Sequence, residues 1–129
     1  MLIIRKEQMA VFQEQAERDF VVSVVHQLRT DHSEAVQGVP EEELTKRVVY
    51  GIKRAREYEL SWQNNLATFV TLMCEIGPDF DLYPVFHEYL TDDSLPPDER
   101  IFALLEGATE ADWEDTRQAS SEDSWPEDI

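Results

Sequence analysis

Apolar residues recur every three or four positions along the N-terminal part of the chain. The stripe consists of Met9, Phe12, Ala16, Phe20, Val24 and Leu28, with Val21 and Val25 beside it. An α-helix has about 3.6 residues per turn, so this spacing places the stripe on one helical face. It predicts an amphipathic helix over residues 5–31. We expect one end of so long a helix to project beyond its neighbours and to leave apolar surface for another chain.

Four further helices are predicted downstream. The second begins with Pro40 at its first helical position and carries most of its cations in its later turns. The third is expected to begin after an N-cap at Ser61 and to end before Gly77 and Pro78. A short helix covers residues 84–90. Pro96 and Pro97 open a last helix, which carries Ile101, Leu104, Leu105 and Ala108. No stretch alternates with period two, so the predicted fold is all-α: a compact bundle of three main helices plus two short C-terminal helices.

The C-terminal residues are polar and acidic. From Gly107 onward the chain holds eight acidic residues and one base, Arg117. Such a composition lacks the apolar residues that a packed segment needs, so a helical domain over residues 1–109 and a disordered, flexible acidic tail over residues 110–129 are predicted. We expect that deleting the tail leaves the fold intact. Trp113 either packs on the last helix or anchors the tail on a basic partner, and Trp125 is expected to have no consequence.

The charge balance constrains the partners of the chain. It has 28 acidic and 11 basic residues, and a formal charge of −17. A protein that neutralises phosphates needs a basic stripe, so the charge excludes such a nucleic-acid binder. It also disfavours docking on anionic lipid. A protein partner, bound as a hetero-oligomer, is therefore expected. The absence of a secretory signal or an apolar run long enough to cross a membrane predicts a cytoplasmic location, and the single Cys74 agrees with this.

The residues that could support catalysis do not form a recognisable set. The spacing of His26, His32 and His87 is not that of metal ligands. The acid pair Asp79 and Asp81 has no nucleophile, basic clamp or histidine near it in sequence. We expect Asp79 to cap a turn there. The chain is therefore predicted to be no enzyme, with no catalytic residues, no metal and no cofactor.

A candidate interface is proposed around the turn that follows the third helix. Its residues are Asp79, Phe80, Asp81, Tyr83, Phe86 and Trp113. Aromatic side chains are common anchors of protein interfaces, and carboxylates nearby would attract a basic partner. The alternative is that the three aromatic residues of positions 80–86 belong to the core, with Phe80 between the third and fourth helices.

Four segments of the chain resemble a known family. They are MLIIRKEQM at residues 1–9, followed by Phe12, YGIKRAREY at 50–58, FVTLM at 69–73 and GPDFD at 77–81. Together they resemble small helical bacterial proteins encoded in type VI secretion effector loci, beside a PAAR-type spike tip, an adaptor chaperone and a toxin. The resemblance covers about residues 1–105. It departs from the family pattern at Glu59, where glycine is usual, and at Asn64 or Asn65, where aspartate is common.

The resemblance implies an accessory role. A co-chaperone of this kind would bind the adaptor chaperone or the effector while the effector is loaded onto the spike. The alternative is an immunity protein, whose negative charge would speed its association with a basic toxin from the same locus. A weaker alternative is a DNA mimic. The sequence leaves these roles open.

Overall fold

Six α-helices and one 3-10 helix build the part of the chain that the structure, a computed structural model, describes. It describes residues 6–127 and 129, with the side chains of the first helix from residue 14 onward. The elements are α1 (Lys6–Asp31), α2 (Glu41–Glu57), α3 (Gln63–Glu75), the 3-10 helix (Phe80–Leu82), α4 (Pro84–Leu90), α5 (Pro97–Gly107) and α6 (Glu110–Ala119). Over these residues there is no strand, which confirms the all-α class.

The first three helices share one core. The α2 stripe of Leu44, Val48, Ile52 and Ala55 is buried between α1 and α3. Arg56, near the end of α2, pairs with Glu17 of α1 at 2.6 Å. Helix α2 therefore runs back along α1. A Cβ atom at position 51 would meet Val70 of α3 at 2.9 Å, so the glycine there allows the two helices to approach closely.

The apolar stripe of α1 is only partly covered. Val24 and Leu28 are buried and Phe20 is half-buried, whereas residues 14–19, Ala16 included, are exposed. Met9 and Phe12 lie outside the residues whose side chains are described, and the resembling segment 1–9 lies largely outside as well. Over residues 14–19, α1 therefore presents its surface to solvent rather than to the core.

Aromatic rings join α3 to the C-terminal helices. Phe80 is fully buried, and its ring centroid lies 5.1 Å from that of Phe69 on α3 and 5.8 Å from that of Phe86 on α4. Phe86 in turn packs on Trp113 of α6, at 4.8 Å. The position predicted for Phe80, between the third and fourth helices, is thus confirmed.

A sixth helix replaces the first half of the predicted disordered tail. Thr109 caps α6 through a capping box with Asp112, at 3.1 and 2.9 Å. Trp113 packs on the core, and the buried Ser120 hydroxyl donates to the Ile76 carbonyl at 2.6 Å. The packed part of the chain therefore continues beyond residue 109, where the sequence predicts its end.

Three local predictions are wrong. The N-cap of α3 is Trp62, not Ser61, and α2 begins at Glu41, with Pro40 as its N-cap. Asp79 makes no capping hydrogen bond, because its carboxylate accepts from Arg54 instead. Among the helices that the structure describes, none is long and apolar enough to cross a membrane.

Candidate interaction surface

The acid pair of the predicted interface is held by one arginine. The Arg54 Nε donates to Asp81 Oδ2 and its Nη1 donates to Asp79 Oδ1, both at 2.9 Å. Tyr58 also donates to Asp81 Oδ2, at 2.7 Å. The other carboxylate oxygen of Asp81, Oδ1, is buried and has no hydrogen-bond partner within the described part of the chain. A fully buried carboxylate needs such a pairing, so this cluster fixes the 3-10 helix against α2.

The electrostatics of this cluster favour the charged form of Arg54 and the protonated form of Tyr58. Burial alone would lower the pKa of Arg54, but the carboxylates of Asp81 and Asp79 raise it above its usual value. Burial and the hydrogen bond to Asp81 raise the pKa of Tyr58, so that the phenol stays protonated and donates. Elsewhere, burial raises the pKa of the Cys74 thiol to about 11, which keeps it in the unreactive form at neutral pH.

A polar hollow lies beside this cluster, with a volume of about 560 Å³. Its lining residues are Tyr50, Lys53, Arg54, Glu57, Tyr58, Asp81 and Leu82. Arg54 and Asp81 are paired with each other. Lys53 and Glu57 also line the hollow, and neither forms an ion pair with a described residue. The described part of the chain also contains no group of three metal-ligating side chains.

The aromatic residues of the predicted interface mostly face inward. Phe80 and Phe86 are fully buried and therefore contact no partner in this conformation. Tyr83 is half-buried, and its hydroxyl donates to Asp123 at 2.8 Å. Trp113 is half-buried against Phe86. The structure thus brings the six predicted residues into one region, but it uses most of their surface for internal packing.

A second region exposes large apolar side chains. Trp62 is 56% exposed, Phe102 is 47% exposed and Leu105 is 43% exposed. The rings of Trp62 and Phe102 lie 6.4 Å apart, and Leu105 is one helical turn from Phe102. We call these three residues the aromatic face. Exposed, contiguous apolar surface of this kind marks a binding site more often than single exposed residues do.

Asp98 of α5 binds the start of α3 and so positions the residues of the aromatic face. Its carboxylate accepts from the backbone N–H groups of Ser61 and Trp62, both at 3.0 Å, and from the side chains of Ser61 and Asn65. It therefore caps α3 from a different helix. Because Phe102 lies one turn after Asp98, the same contact places Trp62 beside Phe102. Burial alone would raise the pKa of Asp98, but these hydrogen bonds lower it to about 2.

Carboxylates flank the aromatic face. Glu99 and Glu106 are exposed and lie one turn on either side of Phe102 along α5. Neither forms an ion pair with any residue in the described part of the chain. The surface therefore has an apolar centre and an acidic rim, which suits a partner segment that is apolar and basic.

The aromatic face was not predicted from the sequence. One signal was present: α5 contains the uninterrupted apolar run 101–105, which covers more of the helix circumference than one core face needs. Part of that run had to remain exposed.

Comparison of the chain with protein-family models, with curated proteins and with solved structures finds no match.

Proposed function

We propose that this chain is a non-catalytic interaction protein that binds an apolar, basic segment of another protein through the aromatic face. The observation that carries the proposal is the exposed contact between Trp62 and Phe102, with the unpaired Glu99 and Glu106 beside it. Aromatic side chains at the centre of an interface contribute most of its binding energy, and the charged rim contributes specificity and association rate.

The partner is proposed to be an adaptor chaperone or an effector of a type VI secretion locus, bound while the effector is loaded. Support for this role comes from the four sequence segments that resemble small accessory proteins of such loci. The aromatic face supplies the kind of surface that a co-chaperone needs, because a chaperone partner offers apolar segments before assembly.

An immunity protein is the second candidate function. The formal charge of −17 favours it, since an acidic protein associates quickly with a basic toxin. In that case the carboxylates would contribute more of the binding than the aromatic face, and the complex would weaken strongly with salt.

The experiment is a co-expression pull-down of the full chain against the adaptor, the effector and the isolated toxin domain, each tagged separately. It compares the wild type with Phe102→Ser at low and high salt. The control is Val22→Ser, because Val22 is an exposed apolar residue of α1 outside the aromatic face. Losing a central aromatic anchor costs about 2 kcal/mol, on the order of 30-fold in Kd.

Capture of the adaptor or the effector that survives high salt and is lost in Phe102→Ser alone supports the accessory role. Salt-sensitive capture of the toxin domain with loss of toxicity supports immunity instead. Capture that Phe102→Ser does not weaken would show that the aromatic face is not the binding surface.

A further inference from the structure

The described residues from Ser120 onward pack back on the fold rather than extending away from it. Ser120 is fixed to the end of α3, and Asp123 accepts from Tyr83 at 2.8 Å. The Trp125 ring then packs edge-on against Tyr50, with ring centroids 6.1 Å apart, and Arg47 lies over it at 5.3 Å. We call residues 120–129 the C-terminal strap. Its contacts begin at the end of α3 and reach α2.

The strap borders a groove on α2 that two lysines line. A groove of about 420 Å³ on α2 is lined by Thr45, Lys46, Val49, Tyr50, Lys53 and, from the strap, Ile129. Lys46 and Lys53 form no ion pair with any described residue, and Val49 is 51% exposed. The groove thus combines apolar side chains with two cations, whereas the aromatic face is flanked by carboxylates.

The chemistry of the strap matches the groove. It contains four acidic residues and no base, and Trp125 is its aromatic anchor. A cation over an indole ring and an edge-on aromatic pair are both favourable contacts. The described residues of the strap form no helix. Its outer part is held by the contact of Asp123 with Tyr83 and by the contacts of Trp125 with Tyr50 and Arg47. Such a segment separates from the fold more easily than a packed helix does.

We propose that the α2 groove, with the adjoining Arg47, is a docking site for an acidic peptide with an aromatic anchor, and that the strap covers one edge of this site within the same molecule. A partner segment of the same chemistry would bind by displacing the strap. Because the strap is tethered, its effective concentration at the groove is on the order of millimolar, so a free peptide competes poorly until the strap is weakened. This inference does not depend on the aromatic face or on its partner.

The test uses the full chain and a labelled synthetic peptide with the sequence of residues 119–129. Binding is followed by fluorescence anisotropy of the label. Trp125→Ala in the full chain should unmask the groove and bind the peptide at least tenfold more tightly than the wild type does. The matched control is Ser124→Ala, since Ser124 is the exposed neighbour of Trp125. It should bind the peptide like the wild type.

Two further variants keep the proposal falsifiable. Asp123→Lys should also unmask the groove, because it removes the contact between the strap and Tyr83. This variant retains Trp125 in its sequence. Arg47→Gln, added to Trp125→Ala, should remove the gained binding. A peptide that carries alanine in place of its own tryptophan should not bind any of these proteins.

Three results would overturn the proposal. One is equal peptide binding by the wild type and Trp125→Ala, with circular dichroism showing both folded. Another is a wild-type dimer that dissociates in Trp125→Ala, which would mean that copies exchange their straps. The third is a preference of the unmasked protein for duplex DNA over the peptide, which would make the groove a phosphate site.

Discussion

The ion pair between Arg54 and Asp81 makes a strong prediction about stability. Arg54→Met keeps the apolar stem of the side chain but removes its guanidinium. Asp81 is fully buried, and Arg54 is 14% exposed. The variant would leave Asp81 with Tyr58 as its remaining donor, because Oδ1 already has no described partner. Removing one member of a buried pair costs about 3–5 kcal/mol.

We expect the lower end of that range, about 3 kcal/mol, because Asp79 is partly exposed and can be solvated when its arginine is lost. Urea unfolding followed by circular dichroism measures this change, which corresponds to a decrease in Tm on the order of 10 °C. The double variant Arg54→Met with Asp81→Leu should recover about 2 kcal/mol, since the buried charge is then gone.

The control for this prediction is Arg56→Met, two positions along the same helix. Its ion pair with Glu17 is about half exposed on both sides, and such pairs contribute about 0.5 kcal/mol or less. If Arg54→Met destabilises the protein no more than Arg56→Met does, the cluster is not a buried ion pair in solution. Arg54 would then not fix the 3-10 helix against α2.

Three further predictions concern single residues. Glu59 has a positive φ of 68°, so Glu59→Gly should raise the free energy of unfolding by about 0.5–1 kcal/mol in urea melts, whereas Glu59→Val should lower it. Asp98 has its pKa lowered to about 2, so its stabilising effect is present at neutral pH and is lost as the pH falls from about 4 towards 2. The Asp98→Asn variant should therefore be less stable than the wild type at pH 7. Melts at several pH values should show that this difference in the free energy of unfolding becomes smaller below pH 4. A difference that stays constant with pH would contradict the prediction. Trp113→Ala should lower the free energy of unfolding by about 2 kcal/mol in urea melts, because it uncovers Phe86. An unchanged free energy of unfolding would show that α6 does not stabilise the fold.

The sequence predicts the helices that carry regular apolar stripes. The beginnings of α2 and α3 were predicted within one or two residues, from Pro40 and from Ser61. Pro84 and Pro97 marked the beginnings of α4 and α5, because proline is favoured in the first turn of a helix.

Helix α6 shows what such a pattern cannot supply. One tryptophan and one buried threonine, Thr116, provide its inward surface, so no stripe is visible. Its stability comes from packing on Phe86, a residue distant in sequence. The capping box of Thr109 and Asp112 was a local signal that could have indicated the helix.

The candidate surface was harder to predict than the fold. Trp62 and Phe102 meet because Asp98 binds the start of α3, and no local pattern predicts a contact between residues so far apart in sequence. In the same way, the loop acids Asp79 and Asp81 meet Arg54 from another helix. Their charges were visible in the sequence, but their pairing was not.

The three tryptophans occupy three different environments, and this gives the protein a set of natural optical probes. Trp62 is exposed on the aromatic face, Trp113 lies against Phe86 and Trp125 lies beneath an arginine. Indole emission depends on the polarity and charge around the ring, so each should emit differently. Variants that keep one tryptophan, with phenylalanine at the other two positions, would report separately on partner binding, on unfolding and on release of the C-terminal strap. A single spectrometer could then show whether the strap leaves before, with or after the binding of a partner.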